Sequence, residues 1–207
     1  MRVRNSMLFV ATLMAVTALA PAADARGAKK PASTEPGTYK EWGPDIDEIE
    51  IVKSFKMADY DTVSVAKFDT SHTEVTDDKD EEIKTVLAGF TETLTEAMRD
   101  ELKAKAKVEM SANAPKSSRT LIVRGKVVDI SPGSRAGRYF AGFGAGAAGN
   151  KLSGEIVDAK SGAVLARFTQ ARRSGGTMKF AGGSNTQVMR DSIHAVGKDI
   201  AHLLDAF

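Results

Sequence analysis

The sequence predicts an α+β two-layer sandwich: one mixed or antiparallel sheet of four to five strands, with two helices on one face. Three observations point there. Two segments repeat apolar residues at helical spacing, four carry them at alternating positions, and the order runs strand, helix, strands, helix. Runs of this kind suggest an α+β arrangement. The bulk composition agrees, with 207 residues, 42% of them hydrophobic and 27% charged, which excludes disordered, collagen-like and multispanning chains. With 29 basic and 27 acidic side chains the net charge is +2, so total charge gives no reason to expect nucleic acid. There is no cysteine, which removes disulfide scaffolds, thiolate metal sites, thiol catalysis and a lipid-anchoring Cys.

The first 25 residues read as a targeting segment. Arg2 and Arg4 precede an uncharged run of 14 residues, Met7 to Ala20, and Ala23-Asp24-Ala25 places small residues where a signal peptidase reads. The run is short of the roughly 20 residues that span a bilayer. Cleavage after Ala25 would deliver the chain to the periplasm with no transmembrane span, and the rival reading is an uncleaved anchor. Residues 26–40, rich in Pro, Gly, Ala and charge, read as a flexible linker. Residues 41–60 hold the sole tryptophan, Trp42, with Ile46, Ile49, Ile51 and Val52 among acids, and read as a leader strand or turn. A single α+β domain is expected over 61–207.

Within that domain Thr62–Phe68 is β-branched and alternating, hence a strand. Ile83, Val86, Leu87, Phe90, Leu94, Met98 and Leu102 then predict one helix over about 80–106, some 40 Å long, with acids at its start and lysines at its end as the dipole favours. A short strand near Val108–Met110 is expected. Leu121, Val123, Gly125 and Val127 mark the next strand, Leu152, Gly154 and Ile156 another, and Val164, Ala166 and Phe168 a fourth. Asp158–Gly162 supplies the hairpin loop between the last two. Ser184 with Gln187 reads as a capping box, opening a C-terminal helix of Met189, Ile193, Val196, Ile200, Leu203 and Phe207.

Signals for chemistry are weak. Gly144 to Gly149 matches a dinucleotide fingerprint, but a strand rather than a helix follows it. The acidic run Asp77–Glu82 lacks the glycine of a calcium loop and fits a solvated helix start. His72, His194 and His202 are too scattered for a zinc site, and neither a nucleophile elbow nor a phosphate loop occurs. No catalytic residue, metal or cofactor is assigned. An enzyme would have to use Asp129, Glu155 or His194.

One segment stands apart. Residues 133–149 contain six Gly, two Arg and three aromatics, and a loop of this length inside a domain is usually functional or mobile. A second Gly-rich stretch, 174–183, follows the strand after Gly162. An antiparallel hairpin would bring both to one end of the sheet, gathering Arg135, Arg138, Tyr139, Phe140, Phe143, Arg172, Arg173, Lys179 and Phe180. Charge is polarised the same way. Residues 41–82 hold 14 acids and 4 bases, a net of −10, whereas 133–190 hold 9 bases and 2 acids, a net of +7. Either the two regions pair within the fold, or the basic, aromatic end meets an anion such as a phospholipid headgroup, lipopolysaccharide or an acidic protein.

Residues 132–146 (Pro-Gly-Ser-Arg-Ala-Gly-Arg-Tyr-Phe-Ala-Gly-Phe-Gly-Ala-Gly), followed by Glu155–Leu165, resemble the bacterial family called domain of unknown function 4410. With the strand near Val63–Phe68 and the helix after it, the resemblance covers about 60–206. It implies an exported protein of Gram-negative envelopes, often lipidated, with no established activity. This chain lacks the lipidated cysteine. By element order it is also similar to small accessory subunits of secretion machines, a likeness of fold alone. The expected function is therefore that of a non-enzymatic periplasmic protein. It would bind an envelope protein or anionic envelope component through Arg135, Arg138, Tyr139, Phe140, Phe143, Arg172 and Arg173, with Gly142, Gly144 and Gly146 allowing close approach. The alternatives are a soluble binder of a small molecule or glycan, and self-association through the opposite charges of the two ends.

Overall fold

The computed structural model describes residues 33–43, 45–75, 80–111, 119–132, 149–173 and 184–207. The strands are β1 (Gly37–Trp42), β2 (Ile46–Ile51), β3 (Thr62–Val65), β4 (Glu74–Val75), β5 (Lys107–Met110), β6 (Thr120–Ser131), β7 (Gly149–Asp158) and β8 (Val164–Arg173), with β-branched alternation clearest in β3 and β6. The helices are α1 (Asp80–Ala88), α2 (Phe90–Leu102) and α3 (Asn185–Asp205). The strands form one mixed sheet in the order β1-β2-β8-β7-β6-β3-β5, with β4 pairing the far half of β6. β3 runs parallel to both β5 and β6, β4 runs parallel to β6, and all other pairs are antiparallel.

The class is α+β as expected, but the counts differ: eight strands and three helices among the described residues, against four to five and two. Each difference has a local cause. β1 is an edge strand that buries only Trp42, so it carries no alternation to read. In β2 the isoleucines fall at 46, 49 and 51, and the step of three breaks the period of two. Residues 37–40, read as the end of a linker, and 41–60, read as a leader, thus supply a hairpin that extends the sheet beside β8. β4 is two residues long within a polar stretch. The long helix divides at Gly89, whose φ of −95° and ψ of 6° leave the helical region, and it ends at Leu102 rather than 106.

The core lies between one sheet face and the helices. Ile49, Val63, Val65, Leu121, Val123, Leu152, Ile156 and Phe168 point to Phe90, Leu94 and Met98 of α2 and to Met189, Ile193, Val196 and Ile200 of α3. Two close approaches set the spacing. Gly125 and Gly154 are cross-strand partners, and a Cβ on either would lie 2.7 Å from the Phe68 ring or 2.5 Å from the Phe168 ring. Where α2 crosses α3, a Cβ on Gly197 would lie 2.7 Å from both the Ala97 Cβ and the Leu94 carbonyl oxygen. At the start of α3 the Ser184 Oγ accepts the Gln187 backbone N–H at 3.2 Å. The Gln187 side chain donates forward to Asp191 at 2.7 Å, so only half of the expected capping box forms.

Residues 41–60 are also tied in by aromatic packing. Trp42 stacks on Phe207 with centroids 5.7 Å apart, and Phe55 stacks on Phe207 at 4.2 Å. The Trp42 indole N–H donates to the Ser33 carbonyl at 2.7 Å.

Candidate functional site

β6, β7 and β8 end together. Ser131 pairs with Gly149, and Gly149 with Arg173, so the two Gly-rich segments are attached at in-register ends of three adjacent strands. Arg135, Arg138, Tyr139, Phe140, Gly142, Phe143, Gly144 and Gly146 lie outside the described residues, as do Lys179 and Phe180. Of the sequence-predicted contacts, the structure describes the Arg172 side chain and the backbone of Arg173.

Arg172 turns toward the protein. Its Nε donates to Asp199 Oδ2 at 2.6 Å, and its Nη2 bonds both Asp199 Oδ1 and, at 3.1 Å, Asp45 Oδ1. Asp199 is 2% exposed on α3 and also accepts the Gln170 amide at 2.6 Å. Burial pushes the Asp199 carboxyl above its ordinary value, opposed by Arg172 and Gln170. The Asp199 hydrogen bond in turn raises the Arg172 guanidinium, against desolvation. His202 approaches Asp45 at 3.5 Å and Glu101 at 3.7 Å, continuing the network along α3. The sequence hid this junction because its members come from residues 45, 101, 170, 172, 199 and 202.

The sheet face away from the helices carries a second arrangement. Alternation sends most apolar residues of β6, β7 and β8 inward and puts Arg124, Lys126, Ser153, Glu155, Arg167 and Thr169, with Ile122 and Val157, on the outer side. Arg124 Nη2 bonds Glu155 at 2.8 Å, Arg167 Nε bonds Glu155 at 3.2 Å, and Arg167 Nη1 bonds Glu50 at 2.9 Å. The Arg124 hydrogen bond is the largest influence holding the Glu155 carboxyl below its ordinary value, with Arg167 adding to it. With Glu48, Ala66, Lys67 and Asp69, these side chains border a hollow of about 700 Å³. The polar half of each strand was readable in the sequence. That β2 lies beside β8, so that Glu50 completes the row, was not.

A smaller hollow of about 370 Å³ lies between α2 and α3, bordered by Glu92, Glu96, Arg190, Asp191 and His194. Among the described residues no cluster of His, Asp and Glu could hold a metal ion, and no helix is long and apolar enough to cross a membrane.

No curated protein matches the chain. Among solved structures it is similar to the PelC dodecamer from Paraburkholderia phytofirmans, at 16% identity and a TM-score of 0.45, over 72% of this chain and 96% of that one. A lipoprotein from Neisseria meningitidis is similar at 14% identity and a TM-score of 0.34, over 69% of this chain and 99% of that one. A minor lipoprotein from Acinetobacter baumannii is similar at 13% identity and a TM-score of 0.28, over 71% and 94%. The family description "Domain of unknown function (DUF4410)" matches residues 52–177, which takes in every strand from β3 to β8 and helices α1 and α2, and the chain belongs to that family.

Proposed function

We propose that this is a non-enzymatic protein of the cell envelope, exported to the periplasm by residues 1–25, that binds an envelope protein or anionic envelope component through the Gly/Arg/aromatic segment 131–149. The carrying observation is the common end of β6, β7 and β8. The register Ser131–Gly149–Arg173 brings together the strand ends from which segments 133–148 and 174–183 leave. Binding segments held by a rigid scaffold are a recurrent arrangement. Arg135, Arg138, Tyr139, Phe140 and Phe143 supply the charge and aromatic surface of the contact. Arg172, engaged by Asp199 and Asp45, acts by fixing the end of β8 against α3.

The test is in-cell crosslinking from a photoreactive residue at position 143, with mass spectrometry of the captured species. One dominant envelope protein or anionic lipid is expected, and its capture should be lost in the Arg135→Glu/Arg138→Glu variant. Capture that survives that double reversal, or no specific capture, overturns the assignment.

A further inference from the structure

We propose that the open face of the sheet packs against the same face of a second copy of this chain, about a two-fold axis that runs along the strands between β7 and β8. The argument is the order of charges across the sheet. One row, in register, reads Glu50, Arg167, Glu155, Arg124. The next reads Lys40, Glu48, Thr169, Ser153, Lys126, Asp69. In signs these are − + − + and + − 0 0 + −.

Both rows are antisymmetric about the line between β7 and β8. A two-fold rotation about that line exchanges β8 with β7, β2 with β6, and β1 with the segment that follows β3. Arg167 then faces the other copy's Glu155, Glu50 its Arg124, Glu48 its Lys126 and Lys40 its Asp69, each contact occurring twice. A row reading − + + − would instead set like on like. The ladder also presets the geometry. Arg124 and Arg167 are held on Glu155, at 52% and 48% side-chain exposure, so their heads are ordered while still open to a partner. Glu48 and Lys126 are exposed and make no ion pair among the described residues. The 48 residues of β1, β2, β3, β6, β7 and β8, at about 3.3 Å along a strand and about 4.8 Å between strands, give a footprint of roughly 760 Å², close to the usual area per partner.

This inference does not rest on the contact proposed for residues 131–149, and the variants below leave that segment untouched. The measurement is sedimentation equilibrium of the purified exported chain at low and high salt. A dimer is expected at low salt, weakening as salt rises. Glu48→Lys and Lys126→Glu should each weaken association roughly tenfold, because each sets two like-charged pairs across the axis. The double variant Glu48→Lys/Lys126→Glu should return to within about threefold of the parent. That recovery is diagnostic: within one copy the swap places like charges beside Lys40 and Asp69, and only pairing between copies is restored. Matching Trp42 emission spectra confirm that all variants are folded. A monomer at every concentration, an assembly indifferent to the single reversals, or a double variant as weak as the singles overturns the proposal.

Discussion

Asp199 places a carboxylate at 2% exposure in the last helix, and what makes this tolerable is the guanidinium of Arg172 with the amide of Gln170. Removing the cation leaves a buried charge without its partner, which typically costs about 3–5 kcal/mol. Arg172→Ala should therefore lower stability by about 3 kcal/mol at neutral pH, the low end of that range because Gln170 remains. The pH dependence has a definite sign. The folded-state value of Asp199 is raised, so as pH falls toward it the folded protein takes up the proton before the unfolded chain does and gains stability. Without Arg172 that rise is larger, so the deficit should shrink between pH 7 and pH 5. Urea midpoints at the two pH values check this, and a deficit constant with pH would count against it. Asp199→Asn, which has no carboxyl to titrate, should show no such recovery.

At the scale of elements, one glycine within α3 and one between α1 and α2 make opposite predictions. Gly197 lies where α2 and α3 touch through backbone, and an added methyl would sit 2.7 Å from the Leu94 carbonyl oxygen, which cannot swing aside as a side-chain tip could. Gly197→Ala should cost about 2 kcal/mol, the usual range for overpacking. Gly89 divides α1 from α2, and its nearest prospective neighbours are 3.9 Å away. Gly89→Ala should leave stability unchanged or raise it by about 0.5 kcal/mol by restricting the unfolded chain. Thermal melts of the two variants decide it, and equal losses would mean that the break at Gly89 is required by packing. The same comparison explains the misread helix. The apolar spacing of Ile83 to Leu102 continues through the break, so periodicity alone cannot locate it.

For the whole molecule, the question is whether residues 37–60 fold with the rest. The β1–β2 hairpin is bonded to β8, and Trp42 and Phe55 hold Phe207 at the end of α3, so the N-terminal and C-terminal segments close on each other. As the only tryptophan, Trp42 reports this directly. Its emission should shift on unfolding at the same urea midpoint as the far-ultraviolet helix signal, as one cooperative unit requires. An earlier Trp42 transition would show the hairpin to be peripheral. The charge polarity of the chain is partly absorbed here, since acidic residues 41–82 meet the basic half in Arg172–Asp45 and Arg167–Glu50.

Local patterning along the chain is enough for the α+β class and for the inward faces of β6 to β8 and α3. The reason is that the period-two pattern of β6 to β8 and the helical pattern of α3 are local properties of short segments. It also displayed the polar alternates, Arg124, Lys126, Ser153, Glu155, Arg167 and Thr169, without showing that they share a face. That β2 lies beside β8 follows from the packed core, because a pairing across more than 110 residues has no local signal. That placement completes the alternating charge row with Glu50 and brings Asp45 to Arg172, while the packing of α3 on β8 makes Arg172 the partner of Asp199.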